Sequence, residues 1–196
     1  MQDQQPERQR ARRFVETSAS LEVTPSHEPT TMSSSTPRYK CKGDYVYYKG
    51  IFGDRPMPFA FLDLDLLEQN IRQVVKLAWG KRVRLASKSL RSTAVIRHIL
   101  EADPCFQGIM CYTAQEAAYL ASQGFDDLLI GYPTYNEQDI AAVCRAAATG
   151  THITLMIDST EHVRQLESVA ASFGISLPLC LEVDMSMDLP GLLIRS

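Results

Sequence analysis

Lys88 ends an apolar run, 82–88 "RVRLASK", with Arg84 four residues before it and Arg91 three after. Cations beside a partly desolvated lysine favour its neutral amine, the form that attacks an aldehyde. The same run fits a lysine that snorkels from a strand end or pairs with Glu182. Other groups able to do chemistry fall where strands should end: Asp63, Tyr112, Tyr132, Asp158, and Glu182 with Asp184. Asp63 suits a helix cap as readily as a ligand contact. Glu182 and Asp184 would suit a hard cation, but no His-rich set lies near them in sequence, so structural pairing is the expectation and no metal site is assigned. His98 and His162 fall within helical stretches and read as surface or packing residues, and Met110 and Met156 as core filler.

The elements that must position these groups recur from Pro58 onward as a short apolar strand, an amphipathic helix and a glycine stop. "PFAFLD" precedes a helix in which Leu67, Ile71, Val74, Val75 and Ala78 keep helical spacing, with Asp65 and Glu68 at capping-box spacing. "RVRLASK" precedes a helix over 92–101. "FQGIMCY" precedes one over 113–123, with Thr113 and Glu116 at capping-box spacing. "DDLLIGY" leads to 136–149, "HITLMID" to 159–173, and "PLCLEVD" is the sixth strand. Such repeats demand a parallel sheet covered by helices, either a barrel or a doubly wound sheet. The strands pair one uniformly apolar face with one mixed face: Val83 and Leu85 against Arg84, Ala86 and Lys88, or Leu179, Leu181 and Val183 against Cys180, Glu182 and Asp184. That alternation favours a TIM-type (β/α) barrel, since a doubly wound sheet wants both faces apolar. No glycine-rich phosphate motif opens any helix.

Residues 1–40 are rich in Gln, Arg, Ser, Thr and Pro and predict a disordered tail, 41–57 a connecting segment with turn chemistry at Gly43-Asp44 and Gly53-Asp54, and 58–196 the barrel units. The arginines between Arg8 and Arg13 hint at a transit peptide, against which Asp3, Glu7 and Glu16 count. Net charge is -3 and no basic stripe carries interleaved aromatics, so nucleic acid is not an expected partner. Apolar runs stop well short of the roughly 20 residues that span a membrane. Five scattered cysteines without a C-x-x-C pair suit a reducing cytoplasm.

Taken in order, "PFAFLDLDLLEQNI", "RVRLASKSLRS", "CYTAQEAAYLASQGFDDLLIGYP" and "CLEVDMSMDLPG" resemble the amino-terminal barrel of the alanine racemase superfamily, the fold-type III pyridoxal-phosphate enzymes. The nearest likeness is to the D-threonine aldolase, D-serine dehydratase and amino acid deaminase/aldolase branch. The resemblance implies pyridoxal 5'-phosphate as cofactor and a small hydroxy or D-amino acid as substrate. It places Lys88 where the family's lysine forms the internal aldimine and matches Arg84 to the arginine four residues earlier. Asp63 and Tyr112 join these two as expected cofactor-binding positions. Glu182 matches an acidic position of the aldolase branch and Asp184 an aspartate common to both branches; with Arg91 they are expected on or behind the substrate. Leu189 departs from the family, which usually has an arginine there.

Six units at a spacing of roughly 24 residues leave an eight-unit barrel incomplete at Ser196. The expectation is a fragment of low activity, or one piece of a larger assembly whose partner is a second copy or a missing carboxyl-terminal portion. Three functions follow: a lyase or racemase of amino acid metabolism, a non-catalytic pyridoxal-phosphate homeostasis barrel, or a remnant that binds nothing.

Overall fold

The computed structural model describes residues 14–16 and 45–183. The chain divides within a helix, at Val74, into two units, each compact by itself. In the first, β1 (Phe14–Glu16) pairs antiparallel with β2 (Phe61–Asp63), and α1 (Tyr45–Phe52) occupies what the sequence predicts as a connecting segment. The rings of Phe52 and Phe61 lie 4.5 Å apart and those of Phe52 and Phe59 5.3 Å apart, so these three aromatic rings gather on one another. Apart from β1, the expected disordered tail lies outside the described residues. α2 (Leu64–Ala78) starts two residues earlier than the Asp65–Glu68 capping box predicts, because Asp63, not Asp65, caps it, its Oδ1 accepting from Leu66 N at 3.1 Å.

The second unit carries β3 (Val83–Ala86), α3 (Ser87–Leu90), α4 (Thr93–Ala102), β4 (Phe106–Cys111), α5 (Ala114–Ser122), β5 (Leu128–Ile130), α6 (Glu137–Ala148), β6 (Ile153–Ile157), α7 (Thr160–Ser172) and β7 (Leu179–Leu181). Its sheet is parallel and runs β3-β4-β5-β6-β7, each strand beside the next in sequence. A doubly wound sheet reverses its order at a switch point; a (β/α) barrel does not. The order therefore decides between the two folds for the barrel. Among the described residues the parallel sheet has five strands, not the expected six, since β2 pairs with β1.

Strand register explains the alternation seen in the sequence. Leu85, Ile109, Leu128 and Ile153 stand opposite one another across four strands and are all buried, and Cys111, Ile130 and Leu155 form a second buried row. The intervening row of Ala86, Met110, Leu129 and Thr154 is only partly covered. One face thus lies under helices, from which Ile96, Ile99, Ala117, Ile140, Val143 and Leu166 close the core. Each fully buried Ile or Leu contributes about 1.5–3 kcal/mol. Four helices are capped by the residues at which the sequence predicts them to start: the Ser92, Thr113 and Ser159 hydroxyls accept from Val95, Glu116 and His162 N, and the Asn136 side chain from Gln138 and Asp139 N. Each is worth about 1 kcal/mol.

Burial pushes the Cys111 thiol up to about 12; the Glu116 carboxylate adds to the rise and Arg84 opposes it. The folded value exceeds the unfolded 9.0, so this contribution to stability is complete below pH 9 and is lost as pH rises toward 12. Cys111→Ala is therefore expected to flatten the alkaline fall in unfolding free energy, by about 1 kcal/mol one pH unit above the unfolded value. Urea titrations of both chains at neutral and alkaline pH check this, and parallel slopes refute it.

Candidate active site

At Ala86 the chain leaves the sheet, so Lys88 does not continue the alternation of Arg84 and Ala86 as the sequence predicts. It sits in the short helix α3, whose first residue, Ser87, is 2% exposed. The Ser87 hydroxyl lies 2.8 Å from Glu116 Oε2 and 3.1 Å from Met110 O. A hydroxyl has one proton, and the nearer, charged oxygen is the stronger acceptor. Drawing Ser87 inward is what turns the backbone here. α3 closes with Arg91 in the left-handed region (φ 45), where its N–H donates to Ser87 O and its Nε to Lys88 O at 3.2 Å.

From this turn Lys88 Nζ donates to Tyr132 Oη at 3.1 Å. It lies 5.7 Å from the centroid of the Tyr112 ring and 5.6 Å from that of Tyr132, and the rings meet edge to face at 5.2 Å. An ammonium over two aromatic faces gains about 0.5–1 kcal/mol from each at exposed positions. Tyr112 follows β4 directly and Tyr132 follows β5 after Gly131, so three successive strand ends supply the amine and its two phenols. Both tyrosines are about half exposed. Among the described residues Lys88 forms no ion pair, so the expected pairing with Glu182 gives way to a phenol partner.

The other predicted residues scatter. Arg84 donates to Asp127 O at 2.6 Å and to Asp127 Oδ1 at 2.8 Å, an ion pair near the amino ends of the strands that neutralises its charge there. It passes over Gly108 (φ 65), where a Cβ would strike both Arg84 Nη1 and Asp127 O. His152 Nδ1 stands 4.0 Å from the same Asp127 carboxylate. The Asp126 carboxyl beside it is held low, chiefly by the hydrogen bond from His152 N at 2.7 Å and then by that from Asp127 N. Asp63 belongs to the first unit and caps α2. Glu182 is exposed just past β7, its N–H extending the ladder to Ile157 O at 2.8 Å. Asp184 and Leu189 lie outside the described residues.

His162 is buried, as its packing role predicts. Its Nε2 must donate to Thr134 O, 2.7 Å away, because a carbonyl only accepts; Nδ1 then faces Asp158 Oδ1 at 3.8 Å. This fastens the loop that carries Tyr132. Sequence reasoning missed Ser87 and gave Glu116 only a capping role; the one available signal, Thr113 with Glu116, pointed to the helix rather than to Lys88. Among the described residues no three His, Cys, Asp or Glu converge as a metal site, and no helix is long and apolar enough to cross a membrane.

Comparison with known proteins bears on the family and the fold. Residues 62–195 match the family described as alanine racemase, N-terminal domain. The 3-hydroxy-D-aspartate aldolase of Paracoccus denitrificans is 30% identical over 129 residues, which cover 65% of this chain and 33% of that protein. Among solved structures, D-threonine aldolase from Filomicrobium marinum superposes with a TM-score of 0.59 at 20% identity, over 64% of this chain and 34% of that one. D-threo-3-hydroxyaspartate dehydratase from Delftia sp. HT23 gives 0.55 at 20% identity, over 61% and 31%. These structures share the fold, and the chain spans about a third of the length of the relatives it matches. The chain belongs to the alanine racemase amino-terminal domain family, a family of (β/α) barrels whose aldolases and dehydratases depend on pyridoxal phosphate.

Proposed function

We propose that this chain is the lysine-bearing part of a pyridoxal-phosphate lyase acting on a 3-hydroxy-D-amino acid, with Lys88 as the covalent anchor of the cofactor. One observation carries the reading: Lys88 Nζ projects from a strand end against Tyr132 Oη and two aromatic faces, where a planar aldehyde-bearing ring can stack beside the amine. The substrate class comes from the names of the aldolase and the dehydratase above. The residues present fit the aldehyde end of the cofactor. When bound, pyridoxal phosphate supplies an electron sink for negative charge developing at the substrate α-carbon.

The chain's own residues prepare that chemistry. Attack on an aldehyde needs the amine lone pair, so Lys88 must give up a proton. Tyr132 Oη, 3.1 Å from Nζ and half exposed, is the neighbouring oxygen through which that proton passes to water. Tyr112 limits the approach to one side of Nζ. Arg91 and Glu182, both exposed at the carboxyl ends of the strands, are the proposed substrate-side groups. The free thiols of Cys105, Cys111, Cys144 and Cys180 suit a reducing cytoplasm.

Incubation with pyridoxal phosphate, borohydride reduction and peptide mass mapping test the proposal: the modification is expected on the peptide containing Lys88, and modification only at other lysines such as Lys76 and Lys81 refutes it. Tyr132→Phe keeps the ring but removes the oxygen, and is expected to slow formation of the reducible adduct about tenfold, within the range of general acid–base effects. Stopped-flow absorbance checks this, and an unchanged rate removes Tyr132 from the proton path.

A further inference from the structure

The Glu116 carboxylate holds two groups on neighbouring strand ends with one oxygen: Oε2 accepts from Tyr112 N at 2.6 Å and from Ser87 Oγ at 2.8 Å. A conventional capping box would have used that side chain on Thr113 N, and Thr113 does accept from Glu116 N at 3.1 Å, so only half the box is made. The other half reaches instead to the residue before the cap and across to the turn after β3. Both targets flank Lys88: Ser87 is its chain neighbour, and the Tyr112 ring faces its Nζ at 5.7 Å.

α3 cannot hold its own shape. It has four residues and no side-chain cap, and Arg91 closes it with its N–H on Ser87 O and its Nε on Lys88 O, far below the length at which a helix stands alone in water. Its one buried side chain is Ser87, and that hydroxyl ends on Glu116. Bonds to a charged carboxylate are roughly twice as strong as neutral ones. We infer that Glu116 is a positioning residue for Lys88, its carboxylate joining the β3 and β4 strand ends so that Nζ meets Tyr112 and Tyr132. The inference rests on Lys88 as the reacting amine, but its test does not require the cofactor.

Competitive acetylation of the full chain with acetic anhydride, followed by peptide mass ratios over a pH series, compares Lys88 with exposed Lys81. In the parent chain Lys88 is expected to react about fivefold more slowly, as two cation–π contacts imply. Glu116→Ala should bring the two lysines within about twofold of each other and change the pH profile at Lys88 alone. Glu116→Gln should fall between, because a carboxamide oxygen still accepts both bonds without the charge. An unaltered Lys88 ratio in a folded Glu116→Ala chain with a lowered Tm marks Glu116 as a structural brace and overturns the inference, as does a parent ratio of one. Should Glu116→Ala fail to fold, Ser87→Ala removes the hydroxyl alone and faces the same two outcomes. Borohydride trapping of the parent chain stays separate: no adduct at Lys88 together with a shifted acetylation ratio defeats the cofactor reading and leaves the positioning role standing.

Discussion

Lys88→Ala is expected to abolish the borohydride-stable pyridoxal-phosphate adduct and to lower any cleavage of a 3-hydroxy-D-amino acid by at least about a thousandfold, the scale of losing a nucleophile and its proton transfer. No other described lysine shares its surroundings. Lys49, Lys76, Lys81 and Lys88 are all exposed, but Lys49 Nζ lies over a single ring, that of Tyr45, whereas Lys88 Nζ meets a phenol oxygen and two rings. Lys88→Arg keeps a cation over both rings but has no amine to condense, so it should retain fold stability and still lose the adduct. Absorbance titration and peptide mapping measure the adduct, a retro-aldol assay the cleavage, and urea denaturation the stability of parent and variants. An adduct that survives Lys88→Ala refutes the assignment. An adduct in the parent chain without turnover would instead support the non-catalytic binding barrel.

Gly108→Ala is expected to produce the largest loss of stability for a single methyl group, about 3 kcal/mol. Gly108 sits in β4 at φ 65, a conformation that costs an L-residue roughly 1–2 kcal/mol. Space is the second cost. A Cβ would meet Arg84 Nη1, which can move, and Asp127 O, which cannot, because that carbonyl also accepts from Ile109 N at 3.0 Å within the β4–β5 register. Moving it disturbs the Arg84–Asp127 pair and the strand ladder together. Chemical denaturation checks the size of the effect. Gly124→Ala is the control: it shares a positive φ of 79 but has open space at the Cβ, so it should cost only the backbone strain. Equal losses at both positions would show that the crossing of Arg84 over Gly108 is not tight.

Much of this protein is legible without coordinates, because periodicity is local. Helix starts at Ser92, Thr113, Asn136 and Ser159 and the strands between them follow from patterns over a few residues. In β3–β6 the barrel follows from one apolar face per strand, the row of Leu85, Ile109, Leu128 and Ile153 that the helices cover, whereas Leu179 and Leu181 of β7 are exposed. Lys88 stands out for the same reason, as a charge at the end of an apolar run.

Only the tertiary structure decides what surrounds it. The bonds that matter join Ser87 to Glu116 across 29 positions, Arg84 to Asp127 across 43, and Lys88 to Tyr132 across 44. Local alternation placed Arg84 and Lys88 on one face, yet the chain turns at Ser87 and parts them, because a buried hydroxyl seeks a partner on the next unit. Which carboxylate, phenol or carbonyl meets a given side chain depends on strand register, and register is set by packing of the whole sheet rather than by any residue's immediate neighbours.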